Sequence, residues 1–308
     1  GDTLQDGSTI VQAGLTAADI FASTAEVIDG LGIATGVFTG VLADNGGTTA
    51  TVAILFGGAA FDTGDETEGT QPAFDQRGDP FARIAGAGLD IGAYELQYWI
   101  VDTLTDESDG DFSLGDLSLR EALELANAQP GADTVTFDAS LTGGLIRLTE
   151  GQLLVSDEVI IDGSGLGITI TADANADDVL VAGTSITDVA ATLAAGSTLL
   201  DDNSRVLNIT GVGSDTTIIG LTLTGGRTTG NNDRGGGVRS YAPLTLTDST
   251  VSGNSTTGRD AFGGGISVYG NVSLTDSTVS DNSTTGASGI GGGINGSRAV
   301  TLTGSTVS

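Results

Sequence analysis

A chain of 308 residues with a net charge of −30 and no Cys, His or Met has neither disulfides nor thiolate or imidazole metal ligands to draw on. Such acidity excludes nucleic acid as an expected partner, since phosphate requires basic neutralisation, and it disfavours anionic lipid equally. With 50 glycines and only 5% aromatic residues, the composition suits a thin, elongated core of Val, Ile, Leu and Ala more than a compact enzyme domain. No stretch nears the roughly 18 apolar residues of a membrane span, and no charged-then-apolar leader is present, so membrane insertion is not expected. Without Met, the segment is expected to belong to something longer.

In chain order, residues 1–14 (GDTLQDGSTIVQAG) read as a coil, with Ser8-Thr9-Ile10-Val11 matching the later Ser249-Thr250-Val251, so 1–40 is expected to be the end of a β-helix. Thr16 and Asp19 have capping-box spacing, which predicts a short helical turn before Phe21. From Val41 the character changes, through Thr51–Phe56, Asp75-Gln76-Arg77-Gly78 and Asp90-Ile91-Gly92-Ala93-Tyr94-Glu95. This segment, 41–97, resembles the choice-of-anchor Q domain that ends many large bacterial surface β-helix proteins. Its Arg77, Arg83, Asp75, Asp90 and Glu95 are expected to form structural ion pairs rather than an active site.

Residues 98–133 open with the strand Tyr98–Asp102, followed by an acidic loop and one convincing helix, predicted over 117–128. Ser118 and Glu121 make a capping box, Leu119, Ala122, Leu123 and Ala126 form an apolar stripe, and Pro130-Gly131 stops the helix. Leu117-Ser118-Leu119-Arg120-Glu121-Ala122 resembles the core of the CSLREA domain in all but its first letter, where Leu117 stands for Cys. That resemblance implies the start of a surface β-helix with the helix lying against the first coil. An anchor-like end followed directly by such a start is the order expected of a tandem array.

Residues 134–308 alternate apolar and polar residues in short strands. They are interrupted by an excursion at 173–204. A fixed period of 28 then emerges: Gly235-Gly236-Gly237 recurs at Gly263 and Gly291, and Asp248-Ser249-Thr250-Val251-Ser252 at Asp276 and, with Gly304 leading, at Ser305. Such a period marks a solenoid. The predicted fold is all-β: a right-handed parallel β-helix of about 28 residues per coil with one short capping-type α-helix.

Functionally, the expected reading is a structural repeat unit of a giant extracellular protein or filament on a bacterial surface, adhesive in character. Its expected partners are copies of itself end to end, and surface polysaccharide. Gly1, Asp2 and Thr3 would continue the pattern left by Ser305, Thr306, Val307 and Ser308, making the stacking interface. The one cofactor expected is calcium, with Asp102, Asp106, Glu107, Asp109, Asp111 and Asp116 as candidate ligands, because oxygen-dense loops suit that ion. No EF-hand spacing is present. No coil offers the non-repeating set of acid, base and aromatic platform that a polysaccharide lyase or hydrolase requires, so an enzyme is not expected. A carbohydrate-active or carbohydrate-binding fibre is the alternative.

Overall fold

A computed structural model describes residues 16–21, 24–28, 34–43, 45, 48–54, 58–65, 71–79, 81–84, 88–129, 131–173, 204–211 and 215–308. It divides into two compact units, Gly1–Trp99 with Ala128–Thr134, and Ile100–Asn127 with Val135–Ser308.

The larger unit is a β-solenoid of about 5 coils carrying, among the described residues, one α-helix. Successive coils stack their strands into three longer sheets and a shorter parallel one of Arg227–Thr228, Ser255–Thr256 and Ser283–Thr284. One sheet stacks Leu145–Arg147, Thr169–Thr171, Thr222–Thr224, Thr250–Ser252, Thr278–Ser280 and Thr306–Val307. The second stacks Leu153–Val155, Leu207–Ile209, Val238–Ser240, Ile266–Val268 and Ile294–Gly296. The third runs from Val300–Thr303 through Val272–Thr275, Leu244–Thr247, Thr216–Ile219 and Val159–Asp162 to Asp133–Phe137 and Tyr98–Val101. Alternation puts Leu244 and Leu246 into the bore while Thr245 and Thr247 face outward. Burying one such leucine stabilises by about 1.5–3 kcal/mol, and the column repeats that gain in every complete coil.

Two sequence features find their physical reason in the corners. The first glycine of each triplet (Gly235, Gly263, Gly291) has φ between 62° and 72°, a left-handed conformation that costs glycine nothing. The second and third lack room instead: a Cβ at Gly264 would strike the Ser283 carbonyl and the Gly292 oxygen of the next coil. The Asp248 and Asp276 column, which begins at Gly220 and ends at Gly304, is left-handed throughout, with φ of 48°, 49°, 67° and 61° respectively. Asp is among the few non-glycine residues that tolerate this geometry, so backbone conformation selects the column.

The inner polar residues form ladders as well. Asn254, 1% exposed, accepts from Gly226 N (2.8 Å) and donates to the Leu223 and Ser252 carbonyls, while its own N–H donates to Asn282 Oδ1 (2.9 Å). Ser249 and Ser277 receive the backbone N–H of the residue one coil earlier, at Leu221 and Ser249. Corners that turn away from regular pairing thereby keep their backbone groups satisfied.

Coil register is the same on either side of 174–203. Thr169 pairs with Thr222 and Leu207 with Leu153 in register, so coil stacking resumes after it. Residues 174–203 lie outside the described residues.

The helix α1, Leu119–Ala128, starts two residues later than the predicted 117, because Ser118 serves as its cap. Ser118 Oγ accepts from Glu121 N, and Glu121 Oε2 accepts from Ser118 N, both at 3.1 Å. Leu119, Ala122, Leu123 and Ala126 are all buried, and Leu119 lines the bore with Leu153, Ile161 and Ile170.

In the smaller unit, the strands Thr24–Ile28 and Ala34–Gly40 pair antiparallel, as do Leu42–Ala43 and Thr51–Val52. The described strands within 1–40 thus differ from the parallel coil expected there. A link as short as 29–33 permits a hairpin, whereas a parallel return takes about a dozen residues or more. The turn predicted at Thr16 is present as a 3-10 helix, Ala17–Asp19, with Asp19 Oδ2 accepting from the N–H and hydroxyl of Thr16 at 2.6 Å.

Candidate functional site

The coil at 300–307 repeats the bore columns of the coil behind it in register. Val300, Leu302 and Val307 are 44%, 49% and 43% exposed, while their register partners Val272, Leu274 and Val279 are 1%, 0% and 0% exposed. The same side chains that form the bore one coil earlier here form an open apolar edge. Ser305 Oγ accepts from Ser277 N, and the N–H groups of Thr306 and Ser308 donate to Ser277 and Val279 carbonyls, so this edge is anchored on its inner side. Gly1, Asp2 and Thr3, the other half of the expected stacking interface, lie outside the described residues.

The carboxylates of the acidic loop are engaged largely by donors of the protein itself. Among the described residues, no group of three or more acidic side chains is arranged to hold a metal ion. Asp102 uses both oxygens on backbone donors, Gly115 N at 2.6 Å and Leu117 N at 2.9 Å. Asp106 forks onto Arg120 at 2.8 and 2.9 Å and also accepts from Thr149 N and Glu150 N. Arg120 extends the clamp to the Gly151 and Gln152 carbonyls. Glu121 Oε1 receives Asp109 N and Gly110 N at 3.0 Å, so one helix-capping residue also shapes the loop. Asp109 and Asp111 close local turns onto Asp111 N and Ser113 N. Glu107 and Asp116 are held above the usual carboxylate range, first by partial burial and then by neighbouring carboxylates, Asp116 and Asp109 acting on Glu107, and Asp109 and Asp111 on Asp116.

In the smaller unit, the expected ion pairs are present. Arg77 meets Asp75 at 2.8 Å with both side chains almost fully buried, and its guanidinium lies 3.8 Å from the Phe81 ring centre and 4.0 Å from that of Tyr94. Arg83 meets Glu95 at 2.7 Å. Asp90 instead accepts the backbone N–H groups of Asp62 and Leu96. This set is a structural lattice of buried charge.

No family model, curated protein or solved structure matches the chain. Function is therefore argued from its own geometry.

A further group, invisible to the sequence reading, comes together on the outer side of the Leu153–Gly296 sheet. Tyr241 and Tyr269 stack with ring centres 5.0 Å apart and planes 5° from parallel. Arg239 lies 4.6 Å from the Tyr241 ring centre, and Arg234 lies 4.3 Å from that of Phe262 and 5.2 Å from that of Tyr269. Beneath them Arg205 donates to the Arg234 and Gly235 carbonyls and to Gln152 Oε1. Burial, and then the charge of Arg239, pull the Arg205 guanidinium down to about 10. The signal was present but needed columns: at the coil period, Arg234 aligns with Phe262 and Ile290, and Tyr241 with Tyr269. Only the structure shows that these columns share a face.

Proposed function

We propose that this chain is a structural repeat unit of a giant extracellular protein or filament on a bacterial surface, propagated by coil-on-coil continuation of its β-helix. The observation that carries this reading is the identity of successive coils: Leu244, Val272 and Val300, and likewise Val251, Val279 and Val307, stack in register at a constant period, so one coil is a template for the next. Covering each half-exposed side chain stabilises by on the order of 1 kcal/mol, and a following coil would also satisfy a row of strand-edge backbone groups. The occupant is a coil of the same repeat, in the same chain or in another copy. The resemblance to an anchor-type end joined to a CSLREA-type start supports that arrangement. In this reading the unit is not an enzyme, and calcium stabilises its acidic loop.

Hydrogen exchange at Val300–Val307 tests the continuation. In a protein of two repeats in tandem, these amides at the internal junction should be strongly protected relative to those of a single repeat. Equal exchange in the two would overturn the reading. For single repeats, Val300→Asp with Leu302→Asp should abolish any concentration-dependent self-association. Wild-type repeats that stay monomeric at high concentration restrict stacking to covalent arrays. Release of reducing or unsaturated sugars from polysaccharide would favour the enzyme alternative, and a melting temperature indifferent to calcium and chelator would remove the ion.

A further inference from the structure

The Arg234, Arg239 and tyrosine face is unusual for this molecule because its charges are unanswered. The chain carries 40 acidic residues against ten basic ones. Arg77, Arg83, Arg120, Arg147 and Arg259 each meet a carboxylate. Among the described residues, Arg205, Arg227, Arg234, Arg239 and Arg298 form no such pair, but only Arg205, Arg234 and Arg239 gather on one face, where the guanidiniums of Arg234 and Arg239 donate no hydrogen bond and Asp233 spends its carboxylate on Gly230 N. Aromatic rings hold them in place, an interaction that orients a guanidinium while leaving its in-plane N–H donors available.

Gathering three cations costs energy that a purely structural surface has no reason to accept, least of all where acidic residues outnumber basic ones fourfold. Nearby polarity points the same way. Asn208, directly in register with Arg239, is 9% exposed and its Oδ1 has no partner, and Arg239 Nε is likewise buried and unpartnered. A buried, unpaired polar atom carries a penalty of about 1–3 kcal/mol, which ligand-induced reorientation of Arg239 would relieve. In the same outward column Ser267 and Asn295 follow Arg239 in register, and Tyr241, 36% exposed, flanks it.

We infer that this face binds an acidic saccharide, its anionic groups on Arg234 and Arg239 and its hydroxyls on Asn295 and the tyrosines, with Asn208 Oδ1 taking a donor as Arg239 turns to the ligand. The ligand must supply both anionic acceptors for the guanidiniums and hydroxyl donors for the amide oxygens, and an acidic sugar does both. A second copy of this chain would bring a net charge of −30 against the same surface, with Arg205, Arg234 and Arg239 the cations gathered there to offset it. Guanidinium binds carboxylate and sulfate alike through paired N–H donors, so the shared chemistry is an anionic sugar. This inference is independent of how coils join.

The test is calorimetric titration at low salt with oligogalacturonate, oligomannuronate and heparin oligosaccharides, and with a neutral galacto-oligosaccharide as control. At least one acidic probe should bind, more weakly as salt rises, and the neutral probe should not; the carboxylated and sulfated arms identify the anion. Arg234→Gln with Arg239→Gln should weaken binding roughly tenfold or more. Arg259→Gln, at an exposed site already paired with Asp260, should bind like wild type. Titration should also shift the Tyr241 and Tyr269 ring resonances of the wild-type protein, a readout that needs no variant. The inference is overturned if no acidic oligosaccharide binds, if the double variant binds unchanged, or if a polyaspartate peptide binds better than every sugar through the same arginines.

Discussion

The two units hold themselves together by opposite means. In the coils from Thr222 onward, each residue leans on its own counterpart one period away: Val251 on Val279, Leu246 on Leu274, Asn254 on Asn282. No single contact is special, and the pattern continues wherever the next coil supplies the same column. Around Asp75 to Gln97, stability rests on unrepeated buried charges, with Arg77 enclosed by Asp75, Phe81, Tyr94 and the Glu95 carbonyl. A periodic structure distributes its stability and can be extended. A lattice of buried ion pairs concentrates it and cannot.

That contrast can be broken most severely at Arg77. Arg77→Met leaves the Asp75 carboxylate buried without its cation, which should cost about 3–5 kcal/mol. Hydrogen exchange should rise throughout 71–97, with the coil amides unaffected. Cutting the bore with Leu246→Ala should cost about 2–5 kcal/mol through lost burial and a residual cavity. Its signature is spreading: by denaturant melts and hydrogen exchange, the coils carrying Ile218 and Leu274 should loosen together. Asn254→Ala should cost about 1–3 kcal/mol, because Gly226 N–H and two carbonyls lose a buried partner; a melt comparing it with the exposed-edge change Leu302→Ala should show the buried ladder to matter more.

The smallest effect lies in the acidic loop and depends on pH. Glu107 and Asp116 have raised folded pKa values, so the native state takes up their protons more readily than the unfolded chain. Their contribution therefore improves as pH falls through those raised values and is unfavourable above them. Asp116→Asn should raise the melting temperature slightly at neutral pH, and the gain should vanish under acidic conditions where the wild-type group is already protonated. Asp111 behaves in the opposite sense: its pKa is lowered by the bonds from Ser113, and its stabilisation is lost as pH falls through that lowered value.

Local rules fixed much of this molecule from sequence alone. The period, the strand alternation, the glycine corners and the Ser118–Glu121 cap each depend on neighbours or on an identical residue one coil away, so each leaves a trace at constant spacing. The sequence also assigned Val300 and Leu302 to the bore columns of Val272 and Leu274. Tertiary structure decided what no period encodes. It spent Asp102 and Asp106 on backbone N–H groups and Arg120, because a loop beside a helix N-terminus has donors to satisfy. It made Asn254 a buried rung, and kept the coil register the same on either side of 174–203. Above all, it placed Arg205, Arg234, Arg239 and two tyrosines on one face. Residues far apart in the chain become neighbours there only because coil stacking sets them side by side.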